Sequence, residues 1–262
     1  MRRRFWKLEA AGNDFVLLCG AVRSPAATAR RLCDRRLGVG ADGLLVVRRV
    51  PGGAAVDYFN ADGSRAFCGN GTRCAAWWAF RQGWVGRRMR LRTRAGAVSA
   101  EVTGRGRVAL SMPEPKGLRL GLELRIKGRR LRAHAVDTGV PHAVVPVRGL
   151  EGFPVIDFGR AIRRHPVFGR SGANVDFVSR RGPVLRLRTY ERGVEDETWA
   201  CGTGAAAAAV VAWRLGWVRP PVKVLVRGGQ TLAVSFRTQG GAARDVRLSG
   251  PAEIVFSGEV GL

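Results

Sequence analysis

Two stretches of the chain alternate apolar and polar residues, with glycines at the breaks. They are Met89–Val108 and Val222–Val246. A period of two places successive side chains on opposite faces of a strand, so both stretches predict half-buried strands. Before each of them, an alanine-containing segment follows a Cys-Gly-x-Gly motif, at Cys68 and at Cys201, and predicts a helix that begins there. Helices and strands together predict an α+β fold.

The two Cys-Gly-x-Gly segments align with each other without a gap. Gly83-Trp84-Val85 follows Cys68 at the same distance at which Gly216-Trp217-Val218 follows Cys201. The halves also close on similar sequences, Val-Ala-Leu-Ser-Met-Pro in the first and Val-Arg-Leu-Ser-Gly-Pro in the second. Such a register over this length indicates an internal repeat, which decides the architecture of the whole chain.

We place the boundary of the repeat in the Gly- and Arg-rich stretch 117–130. The N-terminal half is then 1–117 with Cys68, and the C-terminal half is 118–262 with Cys201, the last strand being free to pack on the N-terminal half. We predict two pseudo-symmetric domains of similar fold, each a mixed or antiparallel sheet wrapped around a central helix. A cleft between such domains is the expected place for a small-molecule site.

The composition excludes several classes of protein. The chain has 262 residues, 46% of them hydrophobic, and lacks a run of about 18 apolar residues that could span a membrane. The basic start of the chain is not followed by the apolar stretch of a signal peptide, so we expect a cytoplasmic protein without membrane association. Five irregularly spaced cysteines, without a Cys-x-x-Cys pair, predict reduced thiols and neither a disulfide framework nor a metal site.

The net charge of +25 raises the alternative of a nucleic-acid-binding protein. The arginines are scattered along the whole chain, however, and no basic arm, helix or recognition motif concentrates them. We therefore interpret the charge as a solvated surface and predict no specific nucleic-acid partner.

Each Cys-Gly-x-Gly turn places a thiol at the start of a helix. The first N–H groups of a helix lack intrahelical partners and carry a partial positive charge, which favours a bound carboxylate and lowers the pKa of a thiol. One such cysteine could equally be a nucleophile, a capping residue or a buried core thiol. Two in equivalent positions favour acid/base chemistry on one small molecule, in which one thiol removes a proton from a carbon and the other returns a proton to its opposite face.

Six blocks of sequence together resemble diaminopimelate epimerases over essentially the full chain. They are Lys7–Val16, Asp34–Leu44, Phe59–Ser64, Cys68–Gly71, Glu191–Gly204 and Gly250–Glu259. The resemblance implies an isomerase that interconverts LL- and meso-diaminopimelate in lysine and peptidoglycan precursor synthesis, with a small amino acid as substrate, without pyridoxal phosphate or another cofactor, and without a metal. None of the four lysines lies in a cofactor motif.

The resemblance also implies residue roles. Cys68 and Cys201 would be the acid/base thiols, with His142 and Glu191 assisting near the reacting carbon. Arg192 would pair with the distal carboxylate. The positions that match substrate contacts of the family are Asn13, Asn60, Gly69, Asn70, Asn174, Glu191, Arg192, Gly202 and Thr203.

Some features depart from the family pattern or leave alternatives open. Val140 stands where the family usually has asparagine, and the loop 193–196 is longer than usual. A proline or hydroxyproline racemase of the same fold is the first alternative, although such enzymes tend to carry a histidine where this chain has Asn70. The isomerases of phenazine synthesis lack the paired cysteines. The sequence leaves open whether the protein is a monomer or a homodimer.

Overall fold

The computed structural model describes residues 2–262, which form two compact units. The first unit contains the chain up to Ser111 together with Ser249–Leu262, and the second contains Met112–Leu248. The division thus falls before residue 117, where we place the boundary from the sequence. The assignment of 1–117 and 118–262 as the two duplicated halves stays a prediction.

The first unit contains nine strands and two helices in the described part of the chain. Its elements are β1 (Arg2–Ala10), β2 (Asn13–Cys19), α1 (Pro25–Cys33), β3 (Gly43–Val50), β4 (Gly53–Asn60), β5 (Arg65–Ala66), α2 (Gly69–Arg81), β6 (Arg88–Thr93), β7 (Gly96–Gly104), β8 (Arg107–Ser111) and, from the end of the chain, β18 (Glu253–Gly261). The strands pair in the order β18-β1-β2-β3-β4-β6-β7-β8, and the short β5 pairs with one end of β4. The pairs β2/β3 and β4/β6 are parallel, and the others are antiparallel.

The second unit repeats this plan. Its elements are β9 (Lys116–Ile126), β10 (Arg129–Asp137), β11 (Pro141–Pro146), α3 (Val155–Arg163), β12 (Asn174–Arg181), β13 (Val184–Glu191), β14 (Asp196–Thr198), α4 (Gly202–Arg214), β15 (Val222–Val226), β16 (Thr231–Gln239) and β17 (Ala242–Pro251), with 3-10 turns at Leu150–Gly152 and Pro166–Phe168. The chain passes from the second unit to the first within β17, after Leu248. The strands pair in the order β9-β10-β11-β12-β13-β15-β16, and the short β14 pairs with one end of β13.

The parallel pairs β11/β12 and β13/β15 occupy the same places in this order as β2/β3 and β4/β6 in the first unit. The predicted α+β fold of two similar mixed sheets is therefore confirmed. The alternation in Met89–Val108 and Val222–Val246 corresponds to strands in both cases.

A central helix lies within each sheet. Helix α2 contacts β1, β2, β3, β4, β6, β7, β8 and β18, and helix α4 contacts β10, β11, β12, β13, β15 and β16. Small and aromatic side chains make up most of α2. Among them, Trp78 is 1% exposed and packs on Trp6 and Trp84. In α4 every residue from Gly204 to Ala212 is buried. Alanine allows strands to approach such a helix closely on all sides, because its side chain is small and has little conformational entropy to lose. Both helices have 13 residues, and no helix within residues 2–262 has the length and hydropathy to cross a membrane.

Candidate active site

Cys68 and Cys201 are the N-cap residues of the two central helices. The backbone of both is extended, and each sulfur accepts a hydrogen bond from the N–H group three residues later, Gly71 in α2 and Gly204 in α4, with N···Sγ distances of 3.4 Å in both cases. A serine or aspartate oxygen usually makes this capping contact. Cysteine therefore places a sulfur, in both units, where the helix N–H groups favour negative charge.

In the first unit, Asn13 and Asn70 lie beside Cys68. The Cys68 thiol donates to Asn13 Oδ1 with an Sγ···Oδ1 distance of 3.6 Å, and Asn70 Nδ2 donates to the same oxygen at 3.4 Å. Asn13 Nδ2 in turn donates to Asp42 Oδ2 at 2.5 Å. Two residues predicted to contact substrate thus join the predicted catalytic thiol in one hydrogen-bonded cluster.

Asp14 and Asp42 hold the start of β2, which carries Asn13. The two residues exchange backbone-to-carboxylate hydrogen bonds, and Arg35 bridges both carboxylates. Lys7 Nζ also donates to Asp14 Oδ2 at 2.7 Å. Burial alone would raise the pKa of Asp14, but the hydrogen bonds from Arg35 and Lys7 outweigh it and lower the pKa from 3.8 to about 2. Asp14 is therefore ionised at neutral pH and ties three segments of the unit together.

Gly69 and Asn60, the other predicted substrate contacts of this unit, differ in their surroundings. Gly69 is the first residue of α2, and a Cβ built there would meet nothing within 4 Å, so space for a ligand is open above it. Asn60 ends β4, and its Nδ2 donates to Ser64 Oγ at 2.9 Å within a turn. The contacts of Asn60 therefore connect it to the turn rather than to the Cys68 cluster.

In the second unit, Thr203 lies beside Cys201. The Thr203 hydroxyl and the Cys201 sulfur are 3.3 Å apart, and the Thr203 carbonyl accepts a hydrogen bond from the Thr138 hydroxyl at 2.9 Å. Gly202 is the first residue of α4, and an added Cβ would lie 2.7 Å from Leu248 Cδ2. The first turn of α4 is therefore more closely packed than that of α2.

His142 makes a buried pair with Asp176, which no sequence motif marks as a site residue. His142 Nδ1 and Asp176 Oδ2 are 2.6 Å apart, and both side chains are fully buried. Asp176 Oδ1 also accepts a hydrogen bond from the Thr189 hydroxyl at 2.8 Å. Among the described residues, His142 Nε2 has no hydrogen-bond partner. The ring is thus held through Nδ1, while Nε2 remains available for a substrate or a proton.

The pKa of the Cys201 thiol lies well above its ordinary value. Desolvation by burial is the main cause, and the nearby carboxylates of Glu191 and Asp176 add to it. The contacts with Thr203 and with the Gly204 N–H lower the pKa but do not outweigh these effects. The N–H group at the helix start thus lowers the pKa of Cys201 as expected, but burial outweighs this effect, so the thiol holds its proton at neutral pH.

Glu191 ends β13 and also has a raised pKa. Burial is the largest cause and Asp176 adds to it, whereas the hydroxyl of Thr198 and the charge of His142 lower the pKa. The structure therefore groups Glu191, His142 and Asp176 electrostatically around Cys201. A carboxyl group with a raised pKa can exchange protons closer to neutral pH.

A hydrogen bond joins Asn174 to the backbone of Arg192. Asn174 Oδ1 accepts a hydrogen bond from the Arg192 N–H at 2.8 Å, and the Arg192 guanidinium donates to the Ser171 carbonyl at 3.3 Å. One of the five guanidinium donors is used in this contact, and the others can serve an anion. In the loop 193–196, which is longer than usual for the family, the Glu195 carboxylate accepts a hydrogen bond from Arg163 Nε at 2.8 Å. This contact stabilises the loop.

Two residues next to the thiols are missing from the sequence-based site, Asp176 and Arg73. Asp176 lies two residues after Asn174 in the buried part of β12, so both share one face of the strand. Arg73 is a fully buried arginine inside the apolar helix α2. In both cases the available signal is a charged residue within a hydrophobic pattern, which is unusual unless it has a partner or a function.

Other candidate features lie elsewhere. A surface cavity of about 630 Å³ in the first unit is lined by residues of 49–53 and 84–89, and none of the predicted site residues lines it. Within residues 2–262, no three His, Cys, Asp or Glu side chains are grouped so that they could hold a metal ion. Of the three cysteines outside the proposed pair, Cys33 and Cys74 are buried and Cys19 is partly exposed.

Comparison of the sequence with protein families finds one match across nearly the whole chain. The profile of the family described as diaminopimelate epimerase matches residues 5–117 and 134–254. A diaminopimelate epimerase of Aquifex aeolicus is 40% identical, with 98% of this chain and 97% of the relative covered. One of Archaeoglobus fulgidus is 39% identical over 87% of this chain and 88% of the relative.

Solved structures with low sequence identity share the fold. A probable proline racemase from Agrobacterium radiobacter K84 has a TM-score of 0.73 and 19% identity, covering 99% of this chain and 93% of its own. A phenazine biosynthesis protein of the PhzF family from Bacillus anthracis has a TM-score of 0.76 and 14% identity, with both chains fully covered. At such identities the likeness concerns the fold alone.

Proposed function

Because the chain belongs to the diaminopimelate epimerase family, its reaction is the epimerisation of LL- to meso-diaminopimelate and back, and we propose that Cys68 and Cys201 perform it as an acid/base pair. The family membership favours this function over the proline racemase alternative. The observation that carries the proposed pair is the equivalent position of the two sulfurs, each capping the central helix of its unit with an N···Sγ distance of 3.4 Å.

The α-proton of an amino acid is hard to remove because the resulting carbanion is poorly stabilised. In this proposal the N–H groups at the starts of α2 and α4 stabilise the charge that moves onto the substrate carboxylate. The backbone N–H groups of Gly69 and Asn70 serve in the first unit, and those of Gly202 and Thr203 serve in the second. The groups are fixed before the reaction begins, so little reorganisation is needed as charge develops.

The two thiols have different roles in the resting protein. Cys201 holds its proton because burial and the neighbouring carboxylates raise its pKa. Inversion needs one base and one acid. In this proposal Cys68 acts as a thiolate, without the proton that its thiol donates to Asn13 Oδ1, and is the base for the first stereoisomer, while Cys201 returns a proton to the opposite face of the carbon. The resulting Cys68 thiol and Cys201 thiolate are ready for the reverse direction, and must exchange a proton before the next forward turnover.

His142 and Glu191 assist these proton transfers in the proposal. Asp176 accepts from His142 Nδ1, which orients the ring and leaves Nε2 without a hydrogen-bond partner among the described residues. Such an arrangement suits a group that accepts a proton or binds an ammonium group of the substrate. Glu191, whose pKa burial raises, is the second group that can exchange protons with Cys201.

The remaining predicted residues bind the substrate. Asn13 and Asn60 do so from the first unit, whereas Asn174 and Arg192 do so from the second, where Arg192 offers a planar fork to the distal carboxylate. The hydrogen bond between Asn174 and the Arg192 backbone supports this role, because it holds the start of the arginine loop.

The proposal extends to the cofactor, the location and the partners of the protein. The reaction needs no pyridoxal phosphate, which predicts full activity after dialysis against hydroxylamine. A cytoplasmic location and the absence of a specific nucleic-acid partner stay predictions, and the choice between a monomer and a homodimer stays open. Light scattering of the purified protein tests the dimer, and affinity for DNA that persists above ~0.2 M salt would contradict the interpretation of the charge.

One experiment tests the substrate directly. The purified protein is incubated with LL-diaminopimelate and, in parallel, with L-proline, and the stereochemistry at each α-carbon is followed by chiral chromatography. We expect inversion of diaminopimelate alone. Inversion of proline at a comparable rate would contradict the proposed substrate.

A further inference from the structure

Arg73 is a charged residue at a place where the fold gives it little compensation. Its side chain is 0% exposed, in the first turns of α2. The guanidinium donates from Nη2 to Asn70 Oδ1 at 2.7 Å and from Nε to the Pro251 carbonyl at 3.3 Å. Nη1 has no hydrogen-bond partner among the described residues. A guanidinium keeps its proton even when buried, so this cation lies in the protein interior.

The neighbours of Arg73 include no carboxylate in direct contact. No ion pair joins it to an acidic side chain within residues 2–262. Burial lowers the pKa of Arg73, and the positive charge of Arg107 lowers it further. Negative charge on Cys74, Cys68 and, less strongly, Glu9 would raise it. Burial raises the pKa of the Cys74 thiol well above its ordinary value, so Cys68 is the thiol whose ionised form this cation can stabilise.

A chain of hydrogen bonds joins Arg73 to the catalytic thiol. Arg73 orients the carbonyl oxygen of Asn70, whose Nδ2 then points to Asn13 Oδ1, the same oxygen that the Cys68 thiol contacts. The equivalent position in α4, five residues after Cys201, is Ala206. The buried cation is therefore a feature of one helix of the duplicated pair and is not required by the fold of such a helix.

We propose that Arg73 is a positioning residue for the Cys68 site, where its buried charge favours the thiolate of Cys68 and its hydrogen bond fixes the Asn70 amide that faces the substrate. The inference rests on the proposed function of Cys68 as a base. Burial of a cation without a carboxylate partner is unfavourable, because the charge loses its hydration. In α2 the positive charge of Arg73 lies near the N-terminus of the helix. In the proposed reaction the Cys68 sulfur and the substrate carboxylate carry negative charge there, so the arginine acts in the same direction as the helix dipole.

The test is the pH dependence of Cys68 alkylation by iodoacetamide, located by peptide mass spectrometry. Trypsin cleaves after Arg65 and Arg73, so Cys68 and Cys74 fall on different peptides in the wild type. Arg73→Met and Arg73→Gln remove the charge, and we expect the midpoint of Cys68 alkylation to rise by about one pH unit or more. In Arg73→Met and Arg73→Gln that cleavage is lost, and fragment spectra assign the label.

Arg81→Met is the matched control, because Arg81 is an exposed arginine of the same helix. It should leave the Cys68 midpoint unchanged, and Cys201 serves as an internal reference in every sample. A folded neutral variant of Arg73 with the wild-type midpoint would overturn the proposal. Arg73→Lys retains the cation, so a rise of a full pH unit in this variant would overturn it too, whether or not the neutral variants fold.

The measurement does not depend on the assignment of the reaction. Alkylation of Cys68 needs no substrate, so the midpoints can be compared in a protein of any activity. A wild-type protein with the expected midpoints that fails to epimerise diaminopimelate would overturn the proposed function and leave the role of Arg73 standing. In an active protein, Arg73→Met should also lower kcat, with the loss largest at the acidic side of the pH profile.

Discussion

The N-termini of α2 and α4 have the same backbone and sulfur geometry but opposite electrostatic surroundings. Under α2, a Cβ added to Gly71 would meet Leu45 and Phe15, which are apolar. Under α4, a Cβ added to Gly204 would lie 2.4 Å from Asp176 Oδ1 and 3.2 Å from Thr189 Oγ1. In strand register Asp176 occupies the place of Leu45, since Asn174 and Gly43 begin the equivalent strands.

The charged residues near the two helix N-termini also differ between the units. Helix α2 carries the buried Arg73, whereas α4 has Ala206 at that position and the carboxylates of Asp176 and Glu191 nearby. A duplicated scaffold can therefore supply two equivalent thiols, while a few substitutions beneath them set which one holds its proton. An enzyme that inverts a carbon needs this difference at each moment, because one group must be a base while the other is an acid.

Loss of either sulfur should have the largest effect. Cys68→Ala and Cys201→Ala each remove one of the two proton-transfer groups, so we expect epimerisation to fall by roughly 10³-fold or more. Cys33→Ala, which removes a buried thiol from the first unit, is the control and should leave kcat unchanged. Either site variant with near-normal turnover, measured by chiral chromatography, would exclude that thiol from the reaction.

Removal of the charge beneath α4 should have the next largest effect. Asp176→Asn keeps the size of the side chain but can no longer hold His142 in the same tautomer, and we expect kcat to fall by about 100-fold. The pH profile of kcat should shift as well, which a structural defect alone would not cause. Thr189→Val removes the other hydrogen bond to Asp176 and should cost far less. An unchanged pH profile in folded Asp176→Asn would contradict this role.

In the first unit the acids stabilise the fold instead of surrounding the thiol. The pKa of Asp14 is about 2 in the folded protein against an ordinary 3.8. Its stabilisation is therefore complete above pH 3.8 and is lost as the pH falls towards 2. We expect Asp14→Asn to lower the free energy of unfolding near pH 7 by roughly 2 kcal/mol, with the difference disappearing near pH 2.

Urea denaturation as a function of pH provides the measurement for Asp14→Asn. Asp157→Asn is the control, because Asp157 makes an exposed ion pair with Lys127 and such pairs contribute little. If Asp14→Asn lowers the free energy of unfolding equally at pH 2 and at pH 7, the ionised carboxylate is not the cause of the difference from wild type.

The smallest expected effect concerns the thiol of the second unit. Glu191 is, after burial, the main cause that raises the pKa of Cys201. Glu191→Gln removes its negative charge, so the midpoint of Cys201 alkylation should fall by about one pH unit. Glu195→Gln, on the adjacent loop, should leave it unchanged. A rise of the midpoint in Glu191→Gln would contradict the electrostatic account.

The sequence predicts the duplicated α+β fold because apolar periodicity and the two glycine turns are local signals that repeat in register. It also locates Cys68 and Cys201 at helix starts, since a Cys-Gly-x-Gly turn followed by an alanine-rich segment is a local signal for the start of a helix. It does not predict the raised pKa of Cys201, because that depends on burial and on Glu191 and Asp176, which only the tertiary fold brings near. The partner of His142 is missed for the same reason, as 34 residues separate it from Asp176.

Solvent isotope uptake tests the two-thiol reaction most directly. Single-turnover samples of LL-diaminopimelate in heavy water are analysed by mass spectrometry and chiral chromatography for wild type, Cys68→Ala and Cys201→Ala. The account predicts one deuterium at each inverted α-carbon in the wild type and no inversion in either variant on that timescale. Inverted product without deuterium, from the wild-type protein, would contradict it.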